Sequence, residues 1–195
     1  MPINFGRYSV LLVSSSQKLN EHILPLLYDN SCESVVITTD ASSARRKLLE
    51  NSFDIVMINT PLPDEFGTKL AMDIGTETDS GVLLFIRADA FFETNSRLSP
   101  LGILSISKPM LSSAVVQSLL LLQATRERLN RMKLHAENLE EKMEEIRIVN
   151  RAKWLLIEKL GMTEPSAHRY IEKTAMDHCV TKCSVAESII KTYQI

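Results

Sequence analysis

Cysteine is scarce in this chain. Cys32, Cys179 and Cys183 form an odd set with no framework spacing, which excludes a disulfide scaffold and fits a reducing compartment. Long apolar runs are missing too. None approaches the roughly 18 residues that a bilayer-spanning helix needs, and the opening Met1-Pro2-Ile3-Asn4 is not a basic stretch leading into a cleavable apolar one. No membrane partner is expected, and the expected compartment is the cytoplasm. No nucleotide loop, Ser/His/Asp set or closed metal site can be traced. His178, Cys179 and Cys183 lack the second cluster that would complete a tetrahedral site. The expectation is a protein that is not an enzyme and holds neither metal nor cofactor. A large excess of one charge is also absent, with a formal net charge of −2.

What is present is 195 residues with 45% hydrophobic content, enough for one large domain or two small ones with packed cores. The near-neutral total hides an asymmetry. Residues 1–110 carry 9 Lys and Arg against 13 Asp and Glu, while residues 148–195 carry 7 against 5, a mild basic bias at the far end that suits a weakly basic binding surface.

Over residues 8–110 short apolar strands alternate with amphipathic helical stretches. Val10–Val13, Val35–Thr38, Ile55–Ile58, Val82–Ile86 and Ile103–Ile106 read as strands; Leu19–Tyr28, Ala41–Glu50, Lys69–Ile74 and Asp89–Arg97 read as helices. This spacing predicts an α/β fold, a doubly wound parallel sheet of five strands covered on both faces. Such sheets gather their chemistry at the carboxyl ends of the strands, where this chain has Ser14, Ser15, Asn59, Arg87 and Lys108.

Beyond Pro109 one long helical signal runs without Gly or Pro to Gly161. Leu122, Thr125, Leu129, Met132, Ala136, Leu139, Met143 and Ile146 recur with alternating gaps of three and four, the seam of a coiled coil. A helix of 25 residues is about 37 Å long, which predicts a second copy of the chain as its partner. Residues 126–133 are mainly basic (Arg126, Arg128, Arg131, Lys133) and residues 137–147 hold five Glu, so an antiparallel pair would set opposite blocks side by side.

From about residue 148 the pattern predicts three short helices. Gly161 stops the first, Thr163 caps the second with Pro165 in its first turn, and Ser184 with Glu187 forms a capping box for the third. On the first, Val149, Ala152, Leu156 and Leu160 share an apolar face, leaving Arg147, Arg151 and Trp154 on the other. An exposed tryptophan between arginines can stack on an unpaired base while guanidiniums meet phosphate, with His168, Arg169 and Lys173 extending that surface. Trp154 packed against a neighbouring subunit, and Lys153 snorkelling over the apolar face, are the alternatives.

The first stretch resembles the receiver domain of two-component response regulators. Pro63 and Gly67 fall four and eight residues after Asn59, as that family's loop proline and glycine follow its phosphorylated aspartate, and Lys108-Pro109 closes the last strand as its lysine and proline do. The resemblance implies a flavodoxin-like receiver fold over residues 1–120. It also implies a degenerate site: Asn59 replaces the nucleophile, Ser14-Ser15 replaces the acidic pair, Arg87 stands at the hydroxyl position, and Lys108 alone survives. Asp54 and Asp64 are the remaining carboxylates near the third strand, and neither reaches in-line geometry.

The stretch Val149-Asn150-Arg151-Ala152-Lys153-Trp154 with Gly161, Thr163-Glu164, Ala167, Ala175-Met176 and Val185-Ala186 resembles an ANTAR domain. That likeness implies a three-helix RNA-binding domain at 148–195, after a coiled-coil linker at 121–147. Its carried-over basic position is Lys153, and its implied function is transcription antitermination on paired hairpins of leader RNA. Trp154 replaces a common glycine, His168 a common aromatic and Glu172 a common arginine. The combination resembles the amidase-operon type of antitermination regulator, which implies a ligand-sensing protein partner. A DNA-binding response regulator and a signalling scaffold are the alternatives; the last helix, Val185–Tyr193, offers a base-reading surface only Lys191.

Overall fold

The computed structural model describes residues 7–193; the opening Met1-Pro2-Ile3-Asn4 lies outside the described residues. The chain divides into two compact units, the first ending at Asn130 and the second starting at Arg131.

In the first unit β1 (Tyr8–Val13), β2 (Cys32–Thr38), β3 (Ile55–Asn59), β4 (Gly81–Arg87) and β5 (Leu104–Lys108) form one sheet in the order β2-β1-β3-β4-β5, parallel throughout. The helices α1 (Gln17–Asp29), α2 (Ala41–Glu50), α3 (Thr68–Glu77) and α4 (Phe91–Leu98) separate the strands, and α5 begins at Ser112. Side chains alternate across the pleat. Leu11, Val13, Val56, Ile58, Leu84 and Ile86 therefore face one core with Ala44 of α2 and Leu70 and Ile74 of α3. Val10, Leu12, Ile55, Met57, Leu83 and Phe85 face the other, under Ile23 and Leu27 of α1 and Val115, Leu119 and Leu122 of α5. β3 is buried along its whole length, as a central parallel strand must be.

One seam residue is claimed by this core. Leu122 is only 6% exposed, and a Cβ placed on Gly81 would stand 3.0 Å from its Cδ2, so α5 approaches β4 through the space a side chain would have filled. Leu122 is thus a core residue of the first unit and not a dimerisation residue. Polar groups hold the same turns: Gln123 Nε2 donates to the Asn30 carbonyl at 2.8 Å, Arg126 Nε to Asp54 at 2.7 Å, and the Tyr8 hydroxyl to Glu127 at 3.1 Å. Leu129, Met132, Ala136, Leu139, Met143 and Ile146 are exposed.

α5 runs unbroken from Ser112 to Leu160, so the first of the three tail helices is its last stretch, with no boundary at residue 148. Gly161, at φ +64°, ends it in the left-handed conformation that glycine adopts without steric cost. In the second unit α6 (Glu164–Asp177) and α7 (Lys182–Tyr193) follow. Thr163 caps α6 as expected, its hydroxyl accepting from the Ser166 N–H at 3.4 Å with Pro165 in the first turn. Thr181, rather than Ser184, caps α7: its hydroxyl accepts from the Ser184 N–H at 3.1 Å. The unit's core is Ala152 and Leu156 of α5, Ala167, Ile171 and Ala175 of α6, and Val185, Ala186 and Ile189 of α7.

Candidate functional site

At the carboxyl end of the sheet Asn59 is 8% exposed and both ends of its amide are used. Nδ2 donates to the Ser14 hydroxyl at 3.2 Å, and Oδ1 accepts from Lys108 Nζ at 3.0 Å. The Ser14 oxygen also accepts from the Ser16 N–H at 3.2 Å, and Lys108 makes a second bond to the Thr60 carbonyl. Burial, and then the like charge of Arg87, push the Lys108 ammonium below the usual lysine range. Lys108 thus ties β5 to Asn59 and to the carbonyl at the start of the next loop. The parallel register carries it there, with Asn59 opposite Phe85 and Arg87 opposite Lys108.

The other two residues expected here stand apart from the constellation. Ser15 is exposed, and Arg87 is exposed and paired with Asp89 at 2.6 Å. A receiver fold implies a divalent cation at these strand ends, and the residues present do not fit one. Magnesium requires hard, charged oxygens, whereas the groups here are a hydroxyl, an amide and an ammonium 3.0 Å from the amide oxygen. A carboxamide is also no nucleophile toward phosphorus.

Neither nearby aspartate substitutes. Asp54 sits at the opposite, amino end of β3, accepting from the Ser9 N–H and hydroxyl, both at 2.8 Å, and from Arg126. Asp64 caps the start of α2 from the β3–α3 loop. It accepts from the N–H of Ala41 and of Ser42 and from the Ser42 hydroxyl, each at 2.9 Å, and these bonds, the Ala41 one foremost, hold its carboxyl down at about 2. Arg45 of α2 completes the tie, pairing with Glu65 at 3.0 Å and Asp73 at 3.1 Å. These loop anchors were invisible in the sequence, since each joins residues 20 or more positions apart with no local pattern.

In the second unit Trp154 is 69% exposed, with Arg151 exposed beside it and Arg147 paired loosely with Glu144 at 3.5 Å. With Leu156 pointing inward, these three lie about 140–180° round α5 from the core. Lys153 is turned toward α6, where its ammonium meets Glu164 at 2.8 Å and its side chain is 16% exposed. It does lie along the apolar face, as the snorkelling alternative has it, with its head paired. Leu160, expected on that apolar face, is exposed at the helix end.

The three α6 residues expected to extend the surface do not act together. His168 lies about 60° from the core-facing Ile171, while Arg169 and Lys173 lie about 160° from it. His168 joins Glu172 at 3.4 Å, and Glu172 in turn meets Lys182, so that edge of α6 is internally neutralised. Among the described residues no group of three or more His, Cys, Asp and Glu is placed to hold a metal ion, and no helix is long and apolar enough to cross a membrane.

Comparison with known proteins divides along the same line. Residues 137–190 match the ANTAR domain family, so the match begins within α5, upstream of residue 148. Over 184 residues the chain is 24% identical to the transcriptional regulatory protein PdtaR of Mycobacterium tuberculosis, covering 94% of this chain and 89% of that protein. The fold of the sheet is that of signal receiver domains. A receiver domain of an HD domain-containing protein from Pseudomonas fluorescens Pf-5 superposes with a TM-score of 0.57 at 20% identity, covering 64% of this chain and 93% of that one. The response regulatory domain of protein mrkE from Klebsiella pneumoniae gives 0.55 at 20%, covering 62% and 98%.

Proposed function

We propose that this chain, a receiver-fold domain followed by an ANTAR domain, is a transcription antitermination regulator that binds paired hairpins in leader RNA and takes its input without aspartyl phosphorylation. The observation that carries the second half is Asn59, held between Ser14 and Lys108. Its contact with Lys108 joins the ends of β3 and β5 through a neutral amide, which leaves no carboxylate there to phosphorylate. The receiver-fold domain then serves as a docking platform, and the input is contact with a ligand-sensing protein that biases a pre-existing equilibrium. RNA binding would use Arg147, Arg151 and Trp154 of α5, with Arg169 and Lys173 of α6, and would draw on Lys153 only by displacing it from Glu164. His168 serves the α6 charge network instead. The exposed stripe from Leu129 to Ile146 would pair two copies of the chain, antiparallel, in the cytoplasm.

The test is selection of two-hairpin RNAs with randomised loops on immobilised full-length protein, with the enriched RNA titrated over a salt range beside duplex DNA. Enrichment of a common loop, with log affinity falling against log salt, supports the reading. Preference for DNA would favour a DNA-binding response regulator, and no preference at any salt a signalling scaffold. Incubation with a small phosphodonor and Mg²⁺ is expected to leave the intact mass unchanged, and a stable single-phosphate adduct would overturn the phosphorylation-independent input.

A further inference from the structure

The second unit has a cleft that the Trp154 surface does not touch. It lies between α6 and α7 and measures about 390 Å³, bounded by Tyr170 and Thr174 from α6, by His178 just past its end, and by Ser184, Ser188, Thr192 and Tyr193 from α7. The spacing produces it. Residues four apart share one edge of a helix, so Tyr170 and Thr174 line one wall, continued by His178 past the end of α6, and the row Ser184, Ser188, Thr192 lines the other, with small hydroxyl residues leaving open the space that larger ones would fill. Tyr170 is 46% exposed, and no carboxylate borders the cleft. An aromatic face, hydroxyls that both donate and accept, and neutral walls suit a flat heterocycle with a polar edge.

The surrounding charges specify further. From residue 147 onward Arg147 pairs with Glu144, Lys153 with Glu164, Lys159 with Glu158 and Lys182 with Glu172. Arg151, Arg169, Lys173 and Lys191 make no ion pair with any described residue. None of the four bounds the cleft itself, but three stand within a turn of residues that do. Lys173 is three residues on from Tyr170, Arg169 is beside Tyr170, and Lys191 is three on from Ser188, which puts Lys173 and Lys191 on neighbouring edges of their helices. Asp177, next to His178, is the carboxylate on that edge of α6. Cations without internal partners are those a polyanion engages with nothing to displace but counterions.

We propose that this cleft seats one unpaired base of a hairpin loop. The base stacks on Tyr170, the hydroxyls of Ser184 and Ser188 and the ring of His178 meet its polar edge, and Lys173 and Lys191 hold the phosphates on either side. This rests on the RNA reading above and adds a base contact on the α6–α7 side of the unit to the Trp154 surface.

The experiment uses full-length protein and the loop-selected two-hairpin RNA, with each loop nucleotide replaced in turn by an abasic one, against wild type, Tyr170→Ala, Tyr170→Phe and Lys173→Gln. One abasic position is expected to weaken wild-type binding about tenfold, Tyr170→Ala to weaken binding of the intact RNA about tenfold, and Tyr170→Phe to retain affinity. Combining Tyr170→Ala with that abasic RNA is expected to lose nothing more, because both remove the same contact. Lys173→Gln is expected to lower the salt slope by roughly one phosphate. Unchanged binding by Tyr170→Ala at unchanged helicity, or losses that multiply, would overturn the cleft and leave the RNA reading standing. Failure to enrich any RNA would remove both.

Discussion

Arg126 Nε stands 2.7 Å from Asp54 Oδ1, and its Nη1 stands 2.6 Å from the Asp79 carbonyl, so α5 is fastened to the amino ends of β3 and β4, away from Asn59. Both side chains are mostly buried, at 19% and 26% exposed. Arg126→Ala would leave Asp54 to Ser9 alone and is expected to destabilise the first unit by about 1–3 kcal/mol. Arg126→Lys should recover part of this, since an ammonium lacks the planar fork that reaches both partners. Urea unfolding followed by circular dichroism checks it, and an unchanged midpoint for Arg126→Ala would show that the clasp is only solvated contact.

Asn59→Asp restores the chemical type of a phosphoacceptor but no cation site. The new carboxylate would lie against Lys108, so stability is expected to hold or rise by up to about 1 kcal/mol, with the intact mass still unchanged after a small phosphodonor and Mg²⁺. A gain of one phosphate would mean that Ser14 and Ser15 suffice to organise the metal. Lys108→Met acts oppositely, removing the donor to Asn59 and to the Thr60 carbonyl, at a cost of about 1–3 kcal/mol.

Asp64 gives the first unit a defined acid sensitivity. Its folded carboxyl titrates at about 2, below the unfolded value of about 3.9. The linkage contributes stability that is fully present above the unfolded pKa and is lost as pH falls from about 4 toward 2. Asp64→Asn should therefore be less stable than wild type at pH 6, with the gap closing across that window. Urea midpoints from pH 2 to pH 6 decide it, and a constant gap would mean that the cap works through its geometry and not its charge.

Much of both units was legible because period and spacing are local signals. The five strands, the helix cap at Thr163 and the stop at Gly161 follow from residue type at a fixed offset, and strand ends in a parallel sheet gather Asn59 and Lys108 on one side. What was illegible depended on which neighbour a residue finds. Leu122 continues a three-four stripe without a break, and only the bare Cα of Gly81 reveals that α5 spends this turn on β4. Thr181 and Ser184 are both hydroxyl residues three apart, and the choice of cap rests on where α7 starts. His168 sits next to Arg169 in sequence yet faces another way, because a helix turns 100° per residue. The cleft beside Tyr170 needs both α6 and α7 to be placed before its two rows can face each other.

The exposed stripe of α5 separates residues that look equivalent in sequence. Leu139→Glu is expected to weaken self-association with little change in unfolding, since Leu139 is 62% exposed. Leu122→Ala is expected to cost the first unit about 2–5 kcal/mol and to leave association of the remaining folded protein intact. Sedimentation and urea unfolding on both variants check the division. Orientation follows from single cysteines introduced at Thr125 and Ile146, in a background lacking Cys32, Cys179 and Cys183. An antiparallel pair crossing near Ala136 brings position 125 of one copy toward 146 of the other, so the mixed crosslink should dominate and opposite charge blocks should lie together. Efficient 125-to-125 crosslinking would instead make the pair parallel, with the basic turns around Arg128 side by side and association strengthening as salt rises.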